Sequence, residues 1–185
     1  MNSVALIGPQ GSGKTTIAEM LVEHRGYYRH GIADAIKHVA DRAYPGLTKT
    51  ELRTVQRYSG TTVVSGRGLL QDIGAALRQV DVNFWLRVWE TDYLAMRGRG
   101  LAIVVDDVRL PHEIARLREV DPSIFIVRLH AAPEVREARM GRSLDGPHDL
   151  TEAMWSHGEV DFDLDTSNLT SEQAYKAITD RMEGE

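Results

Sequence analysis

Gly8-Pro9-Gln10-Gly11-Ser12-Gly13-Lys14-Thr15 follows the apolar run Val4-Ala5-Leu6-Ile7 and leads into a helical pattern. The octapeptide fits Gly-x-x-x-x-Gly-Lys-Ser/Thr, the phosphate loop, and a strand before it with a helix after it is the context that the motif requires. Its residue types follow from its chemistry. Glycines let the backbone curl until successive N–H groups point at phosphate oxygens. A helix opening near Lys14 adds the positive end of its dipole. Lys14 is placed to reach the β- and γ-phosphates, and the Thr15 hydroxyl to hold Mg²⁺. Gly11, Ser12, Gly13, Lys14, Thr15 and Thr16 are therefore the expected contacts to a nucleoside triphosphate. ATP and Mg²⁺ follow as cofactors, while the recipient of the γ-phosphoryl group stays open.

Working outward, a first strand is expected over 3–7 and a helix over 13–24, stopped by Gly26. A weak second strand is expected over 27–33, and Asp34 reads as the N-cap of a helix that buries Ile36, Val39, Ala40 and Ala43. Thr48-x-x-Glu51 has the spacing of a capping box and predicts another helix. The stretch 60–68, rich in Thr, Ser and Gly, reads as a loop. Helices are expected over 69–80 and 83–96. Leu101-Ala102-Ile103-Val104-Val105 and Ile124-Phe125-Ile126-Val127 are continuous apolar runs, as in strands covered on both faces of a parallel sheet. Pro111 and Pro133 suit the first position of a helix. Val160, Phe162 and Leu164 alternate, predicting a short last strand, and Ser171 caps a final helix. Strands alternating with helices predict an α/β fold with a doubly wound, mostly parallel sheet and helices on both faces, the three-layer α/β/α arrangement of P-loop NTPases. One domain spanning 1–185 is expected, with a helical acceptor-binding excursion over 34–97 and a lid-like region over 131–150.

The composition narrows the function classes. The chain has 185 residues, 42% hydrophobic and 26% charged, with a formal net charge of -5. That balance argues against a duplex-wrapping nucleic-acid binder, which carries a basic surface. There is no cysteine, so disulfides, thiolate metal sites and cysteine nucleophiles are excluded. The first apolar run is too short for a signal-peptide core, and no stretch approaches the length of a membrane span. No membrane partner is expected, and a cytoplasmic location is.

Three further clusters carry chemistry. Asp106-Asp107 ends a buried strand, where a carboxylate can serve Mg²⁺ beside Thr15; their side chains point to opposite faces, so one of the two serves the metal. Arg67, Gln71, Gly74 and Arg78 are spaced four, three and four residues apart and share one helix face. Leu70, Ile73 and Leu77 fall on another face, with Leu69 and Ala76 beside them. Two arginines around the gap left by Gly74 suit a phosphomonoester, and Gln71 can read a base edge or a sugar; a solvated helix face is the competing explanation. Arg136, Arg139 and Arg142 recur every third residue after Pro133. They fit either a lid that brings arginines to the transferring phosphoryl group or a solvated basic edge. Arg109 can contact a phosphate or pair with Glu113 on the surface. The histidines have no metal-ligand spacing, and His112, His148 and His157 read as structural or surface residues. Trp85, Val88 and Trp89 sit at core spacing, with an aromatic face available as a pocket wall.

Taken together, Gly8 to Thr16, Ile32-Ala33-Asp34-Ala35-Ile36-Lys37, the Arg67 to Arg78 block running on to Trp85, and Val104-Val105-Asp106-Asp107-Val108-Arg109-x-x-x-Glu113 resemble the phage-type deoxynucleoside monophosphate kinases. Phe162-Asp163-Leu164-Asp165-Thr166-Ser167-Asn168 resembles the loop that packs near the ATP adenine in related small-molecule kinases. The chain departs from that group's Phe-Ala-x-x-Leu-Lys string at Ile32 and Ile36, and from its Phe-Pro-Asn at Leu110-Pro111-His112.

The resemblance implies transfer of the ATP γ-phosphoryl group to the 5′-phosphate of a deoxynucleoside monophosphate. Lys14 and the loop amides would hold the donor phosphates, and Thr15 with Asp107 or Asp106 would position Mg²⁺. Asp34, Lys37, Arg67, Gln71, Gly74, Arg78, Trp85 and Arg109 become the implied acceptor contacts. Lys14, Asp107, Arg136, Arg139 and Arg142 become the implied catalytic set. No nucleic-acid partner is implied, and a homodimer stays open. So do two other classes: a P-loop kinase with another phosphorylated acceptor, of phosphomevalonate-kinase type, and a nucleotide-dependent switch without a small acceptor.

Overall fold

Every residue of Val4–Ile7, the strand β1, is fully buried. Burial on both faces is what a continuous apolar run achieves at the centre of a parallel sheet, and the Val4, Leu6 and Ile7 side chains each contribute about 1.5–3 kcal/mol. The computed structural model describes residues 1–141, 143–144, 156 and 158–184. The helix α1 spans Lys14–Arg25 and ends at Gly26, whose φ of 68° is the left-handed conformation that closes a helix. The strand β2 is only Tyr28–Arg29, shorter than the 27–33 expected: the His30 N–H still donates to the Val104 carbonyl, and the chain turns at Ile32. It is followed by α2 (Asp34–Ala43), β3 (Leu52–Arg57), β4 (Gly60–Ser65), α3 (Gly66–Val80) and α4 (Phe84–Gly98). The remainder is β5 (Ile103–Val108), α5 (Pro111–Val120), β6 (Phe125–His130), α6 (Pro133–Met140), β7 (Phe162–Asp165) and α7 (Ser171–Glu183).

The main sheet runs β2-β5-β1-β6-β7, and every neighbouring pair is parallel. On one of its faces α1 and α7 bury Ile17, Ala18, Leu21, Ala174 and Ile178 against Val4, Leu6, Val104, Phe125, Val127 and Leu129. The alternate residues, among them Ala5, Ile7, Ile103, Val105 and Ile126, are buried as well, as are Ile114 and Leu117 of α5. This is the three-layer P-loop arrangement. Because all strands run the same way, the carboxyl ends of β1, β5 and β6 open on one edge, where α/β proteins hold ligands.

Two local expectations are corrected. The Thr48-x-x-Glu51 pattern does not open a helix: the Thr48 hydroxyl accepts from the Glu51 N–H at 3.3 Å, and the chain then extends into β3. The supposed loop 60–68 holds the partner strand, and β3 and β4 form an antiparallel hairpin with Val55 opposite Thr62 and Thr54 opposite Val63. The β-branched run Thr61-Thr62-Val63-Val64 favours extended backbone and outweighs the single cap interaction. The stretch 34–97 is thus partly sheet. The final helix is capped by Thr170 instead of Ser171, in a reciprocal pair with Gln173.

The chain divides into two compact units, Met1–Gly31 with Asp92–Glu185, and Ile32–Thr91. The first contains the parallel sheet and the second contains α2, the hairpin and α3. Among the described residues, no helix is long and apolar enough to cross a membrane. Arg142, His148 and His157 lie outside the described residues, as does the part of the expected lid at 145–150.

Candidate functional site

In the first unit, the phosphate loop is built on two backbone requirements. Gly8 has φ 147°, and a Cβ there would stand 1.9 Å from the Leu129 carbonyl oxygen at the end of β6. Gly13, with φ 102°, immediately precedes α1 in a left-handed conformation. Both positions therefore admit glycine alone. Lys14 Nζ donates to the carbonyls of Gly8 at 2.6 Å and Pro9 at 2.7 Å, so the cation lies across the loop that it belongs to.

Asp106 and Asp107 separate as strand alternation requires. Asp106 is 6% exposed, and its Oδ2 faces the Thr15 hydroxyl at 3.5 Å. Asp107 packs against Gly31, where a Cβ would meet its carboxylate. The carboxylate beside Thr15 is thus Asp106, and the expectation that named Asp107 first is corrected. The register explains the choice: Val104 and Asp106 share the strand face toward α1, on which Val104 packs with Ile17 and Leu21. Thr15 and Asp106 offer oxygen donors only, which suits a hard divalent cation. Among the described residues, no group of three or more His, Asp or Glu side chains could hold a metal by itself. A cation here would draw its remaining ligands from phosphates and water.

Sequence reasoning missed Arg29. Its Nε donates to Asp106 Oδ1 at 3.0 Å and its Nη2 to Asp106 Oδ2 at 2.6 Å. Thr166 was likewise passed over as an individual residue, although the resemblance marked its neighbourhood. It is 3% exposed and stands between the end of β6 and the loop. Beside it, Ser167 Oγ accepts from the Ala132 N–H and donates to Asp165, whose carboxyl this hydrogen bond holds below the usual carboxylate value.

The arginines of α6 lie along the loop. Arg136 donates to the carbonyls of Ala131 at 3.2 Å and Gln10 at 3.4 Å, and its Cα and carbonyl oxygen would stand 3.0 Å from a Cβ on Gly11. Arg139 donates to the Gly11 carbonyl at 3.2 Å and to the Thr166 carbonyl at 2.6 Å. Glu113, 5% exposed, accepts from the backbone N–H groups of Arg109 at 2.8 Å and Leu110 at 3.0 Å. The acid of the Asp-Val-Arg-x-x-x-Glu block thus caps the start of α5, an architectural task.

In the second unit, Arg67 and Gln71 are exposed on α3 and Arg78 is half-buried. Gly74 falls on the buried stripe with Gly66 and Leu69, while Ala76, expected near the core face, is exposed. A Cβ on Gly74 would stand 3.2 Å from both Ile36 Cδ1 and Arg78 Nη1. The close approach at this glycine is made by those two side chains. Trp85 is 2% exposed, and its Nε1 donates to the Gly74 carbonyl at 3.0 Å, tying α4 to α3. Lys37 pairs with Asp34 at 2.6 Å. Lys37 and Lys49 also line an open cavity of about 250 Å³ with Ala40, Asp41, Leu47 and Leu70.

No protein-family model matches the chain. A protein of Acanthamoeba polyphaga mimivirus named "Putative deoxynucleotide monophosphate kinase" is 24% identical over 193 residues, covering 95% of this chain and 93% of that protein. Among solved structures, a sugar kinase from Janibacter is 21% identical with a TM-score of 0.58, covering 99% of this chain and 95% of its own. A gluconokinase from Sinorhizobium meliloti is 19% identical with a TM-score of 0.59, over 99% and 92%. The Mycobacterium tuberculosis APS kinase CysC, solved with AMPPNP and APS, is 14% identical with a TM-score of 0.56, over 98% and 97%. These likenesses show that the fold is the one on which P-loop kinases are built.

Proposed function

We propose that the chain transfers the γ-phosphoryl group of ATP to the 5′-phosphate of a deoxynucleoside monophosphate, releasing ADP and a deoxynucleoside diphosphate. The observation that carries the donor half is a complete phosphate loop whose Thr15 faces the buried Asp106. Phosphoryl transfer asks little covalent chemistry of the protein; it needs alignment and neutralisation of charge. Lys14 exchanges its two loop carbonyls for the β- and γ-phosphate oxygens when nucleotide binds. Loop N–H groups and the start of α1 add partial positive charge. Thr15 and Asp106 would hold Mg²⁺, which would supply further neutralisation of phosphate charge.

For the acceptor half, support comes from the name of the viral relative and from the cations of the second unit. Arg67 and Arg78 are the proposed grips on the acceptor phosphate, with Gln71 reading the nucleoside and Lys37 and Asp34 assisting. Gly74 leaves room for the Arg78 guanidinium, and Trp85 holds the helix that presents it. Arg109 remains a candidate phosphate contact, and Arg136 and Arg139 act from the side of the donor loop.

The test is ADP release with ATP and Mg²⁺ across a panel of ribo- and deoxynucleoside monophosphates, with gluconate and a phosphorylated non-nucleotide acceptor beside them. Acceleration by one or more deoxynucleoside monophosphates is expected. Acceleration by the non-nucleotides alone assigns another acceptor class, and no acceleration by any acceptor sinks the proposal. In the same assay Lys14→Ala lowers turnover by about 10²–10³-fold with an unchanged circular dichroism spectrum, the usual effect of removing one charge-stabilising donor.

A further inference from the structure

Arg29 is half of the two-residue strand β2, and it pairs with Val104 on β5. Asp106 lies two residues beyond Val104, on the same face of β5. The guanidinium reaches it with a planar fork, one nitrogen to each carboxylate oxygen, at 3.0 and 2.6 Å. The two partners differ in freedom. The Asp106 side chain is 6% exposed, whereas the Arg29 side chain is 40% exposed. Thr15 Oγ1 addresses one of the same two oxygens.

We propose that Arg29 is an internal competitor of the divalent cation at Asp106, and that it makes cation binding conditional on the nucleotide arriving with it. The inference rests on the reading of Thr15 and Asp106 as the donor-site cation residues. A carboxylate this deeply buried requires a compensating positive charge, and Arg29 supplies one from within the chain. A divalent cation drawing on the same oxygens would stand within a few ångströms of the guanidinium and repel it. Nucleotide phosphates bring the negative charge that offsets both cations. Arg29 has solvent into which to withdraw, and Asp106 has none. Linkage fixes the sign: whatever Arg29 contributes to holding Asp106 without a metal is subtracted from the affinity for that metal.

The experiment titrates Mn²⁺ by electron paramagnetic resonance, with and without ADP, into wild type, Arg29→Gln and Arg29→Lys. Without nucleotide, Arg29→Gln should bind Mn²⁺ about tenfold more tightly than wild type, within the usual span of coupling between two sites. With ADP present the ratio should shrink. Arg29→Lys should fall between the two, because an ammonium keeps the charge without the fork. Mn²⁺ binding to folded Arg29→Gln that equals or falls below wild type overturns the inference and leaves the donor-site reading intact. If Arg29→Gln does not fold, Arg29→Lys decides by the same criterion. Folded wild type that fails to bind Mn²⁺ with ADP overturns the donor-site reading and this inference with it.

Discussion

Thr166 and Ser12 stand 154 residues apart in the chain, yet the Thr166 hydroxyl donates to the Ser12 carbonyl at 3.1 Å. The same hydroxyl lies 3.0 Å from the His130 carbonyl, so its one proton is shared between the phosphate loop and the end of β6. Arg139 completes the arrangement by donating to Thr166 Oγ1 at 3.0 Å and to the Gly11 carbonyl at 3.2 Å. The loop is therefore held from beneath by groups that arrive from the C-terminal third of the chain.

Thr166→Val keeps the shape and removes the hydroxyl. It takes the donor from the buried Ser12 carbonyl and one acceptor from Arg139, while the His130 carbonyl keeps the Thr166 N–H at 2.8 Å. Stability should fall by about 1–3 kcal/mol, the penalty for an unsatisfied buried group. KM for ATP should rise several-fold while KM for the acceptor changes little. Thr166→Ser should restore both. Denaturant melts and initial rates check this, and an unchanged KM for ATP in Thr166→Val would remove the hydroxyl from loop positioning.

Arg139→Ala distinguishes a brace from a lid. A guanidinium that fixes Gly11 and Thr166 acts on the loop whether or not a γ-phosphate is present. ADP affinity should therefore fall by the same factor as kcat/KM for ATP. An arginine acting on the transferring group alone would lower kcat and spare ADP binding. Calorimetric titration of ADP into the variant separates the two.

Gly8→Ala has no room. Its Cβ would overlap the Leu129 carbonyl oxygen at 1.9 Å, and φ 147° is a conformation that side chains resist. The obstacle is backbone at the sheet centre, which cannot step aside. A loss of about 3 kcal/mol or more is expected, with poor soluble yield and no ATP binding. A soluble Gly8→Ala with a wild-type denaturation midpoint would contradict this geometry.

Gly74→Ala behaves differently, because one of its neighbours is the end of a flexible chain. Ala raises helix propensity by about 1 kcal/mol, and the 3.2 Å contact with Ile36 takes some of that back. The melting temperature should stay within a few degrees of wild type. The Arg78 guanidinium, however, must shift from its 3.2 Å position. KM for the acceptor should rise while KM for ATP holds, and Arg78→Ala should show the same split more strongly. Equal effects on both substrates would take Arg78 out of the acceptor site.

The parts of the fold legible in the sequence are those with local causes. The octapeptide from Gly8 fixes its own conformation, Gly26 ends α1, Pro111 and Pro133 open their helices, and the apolar runs at 103 and 125 become β5 and β6. What escaped was decided by neighbours far along the chain. Whether Asp106 or Asp107 meets Thr15 depends on which face of β5 packs on α1. Arg29 matters only because an edge strand too short to leave a periodic signal runs beside Val104. The hairpin was hidden by a capping pattern that is real, and its one visible trace was a β-branched run after Gly60.

Asp121 sets an acid limit on the parallel-sheet unit. Burial pushes its carboxyl up, but hydrogen bonds from Ser123 Oγ, the Tyr93 hydroxyl and the Ser123 N–H, with the charge of Arg97, together hold it below the ordinary 3.8. The Tyr93 phenol is pushed up in turn, by burial first and by its 2.6 Å bond to Asp121 second. A carboxyl whose folded value is depressed contributes stability above its unfolded value and loses it as pH falls through the folded value. Wild type should thus lose stability as pH drops from about 4 downward, with this group giving up its share last, below the ordinary carboxylate range. Asp121→Asn keeps the volume and removes the charge, which should lower stability at pH 7 by about 1.5–3 kcal/mol, the range for hydrogen bonds to a charged acceptor. The gap between variant and wild type should narrow as pH falls below 3.8 and close once pH passes below the depressed folded value, where both carry a neutral side chain at 121. Urea melts at pH 7 and at pH 3 measure that gap directly. A gap that is the same at both would mean that Asp121 acts through shape alone, with its charge contributing nothing to the fold.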